Sequence, residues 1–288
     1  MKRPSHRLFL AISVLCLTAP AHARPFLTHE VAPVGRYTFE TGFDASFRAD
    51  RFQSPKTDYG SVAIPVHAAF GFTDRLETGA ELAYFSQRLD TANSRFNGSR
   101  PAALAPEVKY AFGRYVGLQF IWHAAIGEVN AQSLPVARGD DYEYRLLLKA
   151  PFAWPTHLNL GYVNKGRYFS RLGIEAGPKF HIAPGDITEA MLSIEAPVRW
   201  GFSLLGEGAY YHVAGRHVDH LYINDSKGDA ADALVGLSWT SHGWTLGTGV
   251  SFGLLNERLT SFDIERGSGD VTYRWSILYR LKPHKPGQ

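Results

Sequence analysis

From Tyr59 to Gln87 apolar and polar residues alternate with a period of two. Val62, Ile64, Val66, Ala68, Phe70 and Phe72 share one face of an extended chain, and Ala63, Pro65, His67, Ala69 and Gly71 share the other. After Thr73-Asp74-Arg75, a second arm sets Leu76, Thr78, Ala80, Leu82 and Tyr84 against Glu77, Gly79, Glu81 and Ala83. Side chains two apart share a face only in a strand; at helical spacing this apolar set would scatter around a cylinder. The pattern predicts a β-hairpin with one oily face and one face of small or charged residues. Such a hairpin is not stable alone.

The same grammar recurs along the chain. Strands are predicted around 37–47, 104–112, 116–127, 142–154, 158–165, 190–200, 202–212, 233–240, 244–255 and 271–281, which with the two arms above makes twelve. Tiny turns at 73–75, 114–115, 155–156, 201 and 242–243 alternate with long polar connections at 48–57, 88–103, 129–141, 213–232 and 256–270. Short turns on one rim and long loops on the other are the pattern of a transmembrane barrel, as are aromatic residues near strand ends such as Tyr59, Phe72, Tyr142, Trp154, Trp200, Trp239 and Trp244. The predicted fold is all-β: an antiparallel transmembrane β-barrel of twelve strands. Leu172–Ile182 also alternates and is assigned to a long outer loop over 166–186. The alternative is fourteen strands, adding Leu172–Ile182 and His217–Asn224.

Composition sharpens this picture at the N-terminus. Lys2, Arg3 and Arg7 precede an apolar run from Leu8 to Leu17 and a small-x-small site at Ala21-His22-Ala23, the pattern of a cleaved export signal over 1–23. The run is too short for a membrane-spanning helix, and it contains Cys16, the single cysteine. The mature chain is therefore expected to start at Arg24 and to hold no thiol, disulfide or cysteine metal site. Of 30 Lys and Arg residues three lie in this signal, which has no acid, so 27 bases face 27 acids in the remainder. No excess of positive charge points to nucleic acid. The longest stretch free of charged residues, Ala233 to Asn256, contains five glycines and keeps period two, so it reads as two strands and a turn. If the chain lives in a membrane it must close as a barrel, because lipid cannot satisfy open strand edges. The expected organisation is signal 1–23, an N-terminal periplasmic or lumen segment 24–36, a barrel 37–281 and a tail 282–288.

Several short motifs carry a resemblance. Phe70-Gly-Phe-Thr-Asp-Arg-Leu-Glu-Thr-Gly-Ala-Glu-Leu is similar to the turn-and-strand motif of the outer-membrane transporters grouped with the phenol-degradation MetA-pathway family. Glu107-Val-Lys-Tyr-Ala-Phe, His157-Leu-Asn-Leu-Gly-Tyr and Leu192-Ser-Ile-Glu-Ala-Pro-Val-Arg-Trp resemble later motifs of that group. The match covers most of 35–281. It implies a small barrel that passes hydrophobic or aromatic compounds. One departure stands out: such barrels usually close on an aromatic residue read by the assembly machinery, whereas here the last strand finishes at Leu281 before a short tail.

The polar face carries Glu40, Asp44, His67, Glu81, Glu107, Lys109, Glu143, Arg145, Lys149, Glu195, Arg199, Glu207, Arg274 and Arg280. These are the candidate lumen-lining residues. Mixed charges there either select solutes through a transverse field or pair with one another to fill a narrow interior. His212, His217, Asp219 and His220 match no closed zinc pattern and are assigned to a solvated loop, so no metal site or cofactor is predicted. Asn97-Gly98-Ser99 formally fits a glycosylation sequon but is assigned to a turn. Phosphate-binding glycine loops and His-Glu-x-x-His are absent from the sequence, and Gly249-Val-Ser-Phe-Gly253 fits the letters of Gly-x-Ser-x-Gly only inside a period-two strand, not at a strand-to-helix elbow.

The expected function is a non-enzymatic, passive channel for small hydrophobic or aromatic solutes, narrowed by inward Glu, Arg and Lys and capped by Arg24–Gly35. A structural or adhesive barrel acting through its long loops and a lipid-modifying enzyme are the alternatives. The expected partners are outer-membrane lipid, a small-molecule solute and the assembly machinery.

Overall fold

The computed structural model describes residues 25–53, 56–91, 95–125, 140–170, 180–223, 226–256 and 271–282. The export signal expected over 1–23 and residues 283–288 of the tail lie outside them. Among the described residues sixteen strands follow in chain order: β1 Phe39–Gln53, β2 Lys56–Gly71, β3 Leu76–Thr91, β4 Arg95–Ala111, β5 Val116–Ala125, β6 Asp141–Ala150, β7 Thr156–Asn164, β8 Tyr168–Ser170, β9 Phe180–Ala183, β10 Ile187–Pro197, β11 Phe202–Val213, β12 His217–Val218, β13 Leu221–Tyr222, β14 Gly228–Ser241, β15 Trp244–Asn256 and β16 Val271–Leu281. Twelve of them close into one antiparallel barrel, with β1 pairing β16 from Phe39↔Leu281 to Ala49↔Val271. Among the described residues no helix is long and apolar enough to cross a membrane.

Alternation puts each oily face on the outside. Phe39, Phe43 and Phe47 on β1, Leu104, Val108 and Tyr110 on β4, and Leu192 and Ile194 on β10 are all exposed, while Glu40, Lys109, Glu189 and Glu195 on the same strands are buried. Burial is thus inverted relative to a soluble sandwich. A water-filled surrounding would leave this belt of apolar surface unsatisfied, whereas hydrocarbon accepts it. Trp122 and Trp275 are 39% and 59% exposed on the outer surface. A variant that keeps Trp275 as its sole tryptophan is expected to be strongly quenched in bilayers of lipid brominated on the acyl chains. Emission unchanged from unbrominated lipid would place that ring away from hydrocarbon.

Three expectations need correction. The connections expected at 48–57 and 88–103 are largely strand, because β1 to β4 run for 15, 16, 16 and 17 residues, against about 9–11 needed to cross a bilayer. Their ladders continue to Gln53↔Lys56 and Asp90↔Arg95, so a ribbon stands beyond the membrane on the long-loop side. Asn97, assigned to a turn, pairs with Arg88 inside that ribbon. Turn-forming composition yielded to an already templated edge. The fourteen-strand alternative also falls: β8, β9, β12 and β13 form a separate four-stranded sheet in which His217 pairs with Ala183. The segments proposed as extra barrel strands pair with each other. Residues 171–179 of that stretch lie outside the described residues.

Candidate functional site

The residues ahead of β1 turn into the barrel. Tyr37 N–H donates to Gly71 O at 2.6 Å and Gly71 N–H to Thr38 O at 3.0 Å, which anchors the segment at the short-turn rim. Gly71 permits this approach, since a Cβ there would lie 1.9 Å from Gly35 O. Gly35 and Tyr37 take positive φ, 101° and 57°, and reverse the chain into the lumen.

From that anchor the segment runs around the inner wall. Val34 N–H donates to Glu77 Oε2 at 2.6 Å, and Glu77 Oε1 is held by Lys109 Nζ at 2.9 Å. Val31 is fully buried against Ala111 and Leu147. His29 and Asn159 exchange two hydrogen bonds, His29 N–H to Oδ1 at 2.5 Å and Asn159 Nδ2–H to His29 O at 3.0 Å. Thr28 Oγ1 donates to Ser193 Oγ at 2.7 Å. Finally the N–H groups of Phe26, Leu27 and Thr28 converge on the Glu207 carboxylate at 2.7, 2.8 and 3.2 Å. Contacts climb from Glu77, second residue of β3, to Glu207, sixth of β11. The segment is a spiral plug lying across the short-turn end of the lumen. Between it and β1, β16 and β3 remains a cavity of about 40 Å³ bordered by His29, Glu40, His67, Glu77, Lys109 and Arg280.

The structure places the candidate residues as follows. Glu40, His67, Lys109, Glu143, Arg145, Glu195 and Glu207 are buried. Asp44, Glu81, Glu107, Lys149, Arg274 and Arg280 are partly buried. Arg199 is elsewhere: β10 ends at Pro197, and Arg199 stands exposed in the turn to β11. Many of the interior charges are paired. Arg280 Nε and Nη2 donate to Glu40 Oε2 at 2.9 and 2.6 Å. Arg145 bridges Glu143 and Glu189, with Nε 3.0 Å from Glu189 Oε1, and His123 Nε2 lies 2.8 Å from Glu143 Oε2. Glu107 accepts from Gln119 Nε2 at 2.7 Å.

Glu77, Gln119, Asn159, Glu189 and Ser193 were not among the candidates, although strand parity places each on the same face as those that were. Glu189 pairs with Arg145, and the value of the others depends on residues 26–34, more than 80 positions away for all but Glu77. Also unexpected is apolar surface on the inner face of neighbouring strands. Val163, Ile187, Met191, Tyr211, Val213 and Leu234 form one buried cluster with Leu27, against which Phe26 packs. It begins at the long-loop rim and reaches down to the plug. At that rim a hollow of about 670 Å³ is lined by Tyr142, Asn164, Lys165, Asp186 and His217 among others. The histidine-rich stretch does not converge: His212, on β11, lies with Nδ1 2.7 Å from Asp229 Oδ1, while His217 packs on the Tyr222 ring and Asp219 Oδ1 accepts from His181 N–H.

No protein-family model and no curated protein matches the sequence. Solved structures do. An outer-membrane channel from Pseudomonas putida F1 superposes with a TM-score of 0.71 at 11% identity, covering 90% of this chain and all of that one. The translocator domain of the autotransporter NalP from Neisseria meningitidis gives 0.51 at 9% identity, covering 96% and 94%. The chain folds as an outer-membrane β-barrel. At such identities the likeness extends to the fold and no further, and the interior described above is this chain's own.

Proposed function

We propose that the chain is a passive outer-membrane channel for small hydrophobic or aromatic solutes, in which residues 25–38 form an internal plug. The observation that carries this reading is how the plug is held. A barrel meant only to be filled needs packed side chains, whereas this lumen is crossed by a backbone segment tied through exchangeable hydrogen bonds to Glu207, Ser193, Asn159 and Glu77. Beyond its anchor at Gly71 these hydrogen bonds hold the segment, and breaking them lets it leave as one unit. Solute class is supported by the apolar track from Ile187 and Val213 to Leu27. The motifs that resemble those of the MetA-pathway transporters support the same class. Paired interior charges set the bore and do no chemistry in this scheme.

The test is uptake by proteoliposomes. 4-Hydroxybenzoate, an anion that crosses bare lipid slowly, is expected to enter faster than a sugar of similar size, and deleting residues 25–34 is expected to accelerate both. Rates equal to protein-free liposomes would overturn the channel reading.

A second reading rests on the ribbon of β1 to β4 beyond the membrane, which offers a surface for adhesion. Shortening that ribbon would then abolish the cellular function while leaving proteoliposome uptake intact.

A further inference from the structure

The floor under Phe26 is built from glycine. Gly236 on β14 and Gly249 on β15 are register partners, and Gly247 precedes Gly249 on the same inner face. A Cβ on Gly236, Gly247 or Gly249 would lie 3.4, 2.9 or 3.3 Å from the Phe26 ring. The ring therefore lies on bare backbone, a flat surface that only an aromatic group fills well. One edge of this floor is polar. Ser203, Ser238, Gly247 and Ser276 stand side by side across β11, β14, β15 and β16. The three serines are 0%, 2% and 5% exposed, and their hydroxyls have no hydrogen-bond partner among the described residues. The point where a Gly247 Cβ would stand is 2.4 Å from Ser276 Oγ and 2.9 Å from Phe26 Cζ, so a hydroxyl faces the far end of the ring. Arg274, the register partner of Gly249, likewise leaves Nε without a partner. A phenylalanine ring uses none of these groups. Buried polar atoms left unsatisfied are costly and point to something absent.

We propose that this floor is a binding site for a single aromatic ring carrying an oxygen substituent, a phenol or an aromatic carboxylate, and that Phe26 is its built-in competitor. The ring of the solute stacks where Phe26 lies, its oxygen meets Ser276, Ser238 and Arg274, and the plug loses a foothold. This rests on the channel reading and names both the ligand and the event that opens the channel.

The experiment measures binding of phenol, benzoate and toluene to the purified full-length barrel in micelles by saturation-transfer NMR. Three proteins test the floor itself: wild type, Phe26→Ala and Phe26→Ala/Gly247→Val. Gly247 is the position to fill because its Cβ would meet only side-chain atoms, whereas Gly236 would meet Thr248 O at 3.0 Å. Heat-modifiable gel migration checks that each variant is folded. Phe26→Ala is expected to bind phenol and benzoate about tenfold more tightly than wild type, since the competitor is gone. The Gly247→Val change is expected to abolish that binding. Adding Ser238→Ala and Ser276→Ala to Phe26→Ala is expected to reduce phenol to the level of toluene. Equal binding by all three proteins overturns the site, and toluene binding as well as phenol in Phe26→Ala overturns the role of the hydroxyls. Uptake by proteoliposomes without binding at the floor would sink this proposal and spare the channel; binding without uptake would do the reverse.

Discussion

Glu207→Ala is expected to convert a mostly closed barrel into one that conducts for most of the recording. The carboxylate receives three successive backbone N–H groups at 2.7, 2.8 and 3.2 Å. Hydrogen bonds to a charged acceptor contribute roughly 1.5–3 kcal/mol each. Alanine removes the acceptor and leaves three donors facing a buried wall, so the same geometry that favoured the seated plug now opposes it. Thr28–Ser193 and the His29–Asn159 pair remain, but as neutral hydrogen bonds they hold the segment less firmly than the carboxylate did. Glu207→Gln keeps one acceptor oxygen without the charge and is expected to fall between wild type and alanine. Single-channel recording in planar bilayers reads the outcome as open probability. Traces of Glu207→Ala indistinguishable from wild type would mean that the clamp holds nothing shut.

Arg145→Leu is expected to have the largest effect on stability. Glu143 is 0% exposed and Glu189 5%, and the Arg145 guanidinium lies between them. Glu189 cannot retreat easily, because its carboxylate already presses on Gly161, where a Cβ would lie 2.4 Å from Oε1. Without the cation two buried carboxylates face each other, a defect that costs about 3–5 kcal/mol. The midpoint of heat-modifiable migration should fall clearly, and adding Glu143→Gln and Glu189→Gln should recover most of the loss by removing both charges. A midpoint equal to wild type for Arg145→Leu would show the cluster to be solvated and not buried.

Alternation alone announced the barrel, its twelve strands and its inverted burial, because period two is a local property and lipid demands that every strand edge be paired. Other features depend on what is distant in sequence. The extension of β1 to β4 past the membrane runs against polar, turn-rich composition at 88–103, and an existing ladder overrides such local preference. The plug has no periodicity to detect: Arg24–Gly35 was expected to cap the lumen, but nothing in that stretch shows that Phe26 meets Glu207, 181 positions away. Glu207, Lys109 and Glu40 were found by parity, whereas Asn159 and Ser193 gain importance only from the backbone that crosses them. Arg199 was misplaced because parity was carried two residues beyond Pro197, where β10 stops.

The seated plug is tested most directly by tethering it. Thr28 Oγ1 and Ser193 Oγ are 2.7 Å apart, close enough for a Thr28→Cys/Ser193→Cys pair to form a disulfide, whose sulfurs are separated by about 2.05 Å. In a planar bilayer the oxidised pair is expected to stay in its low-conductance state, and a reductant added to the bath should restore openings to the wild-type level. Oxidised channels that open as often and as widely as reduced ones would contradict a plug that must leave its seat for solute to pass.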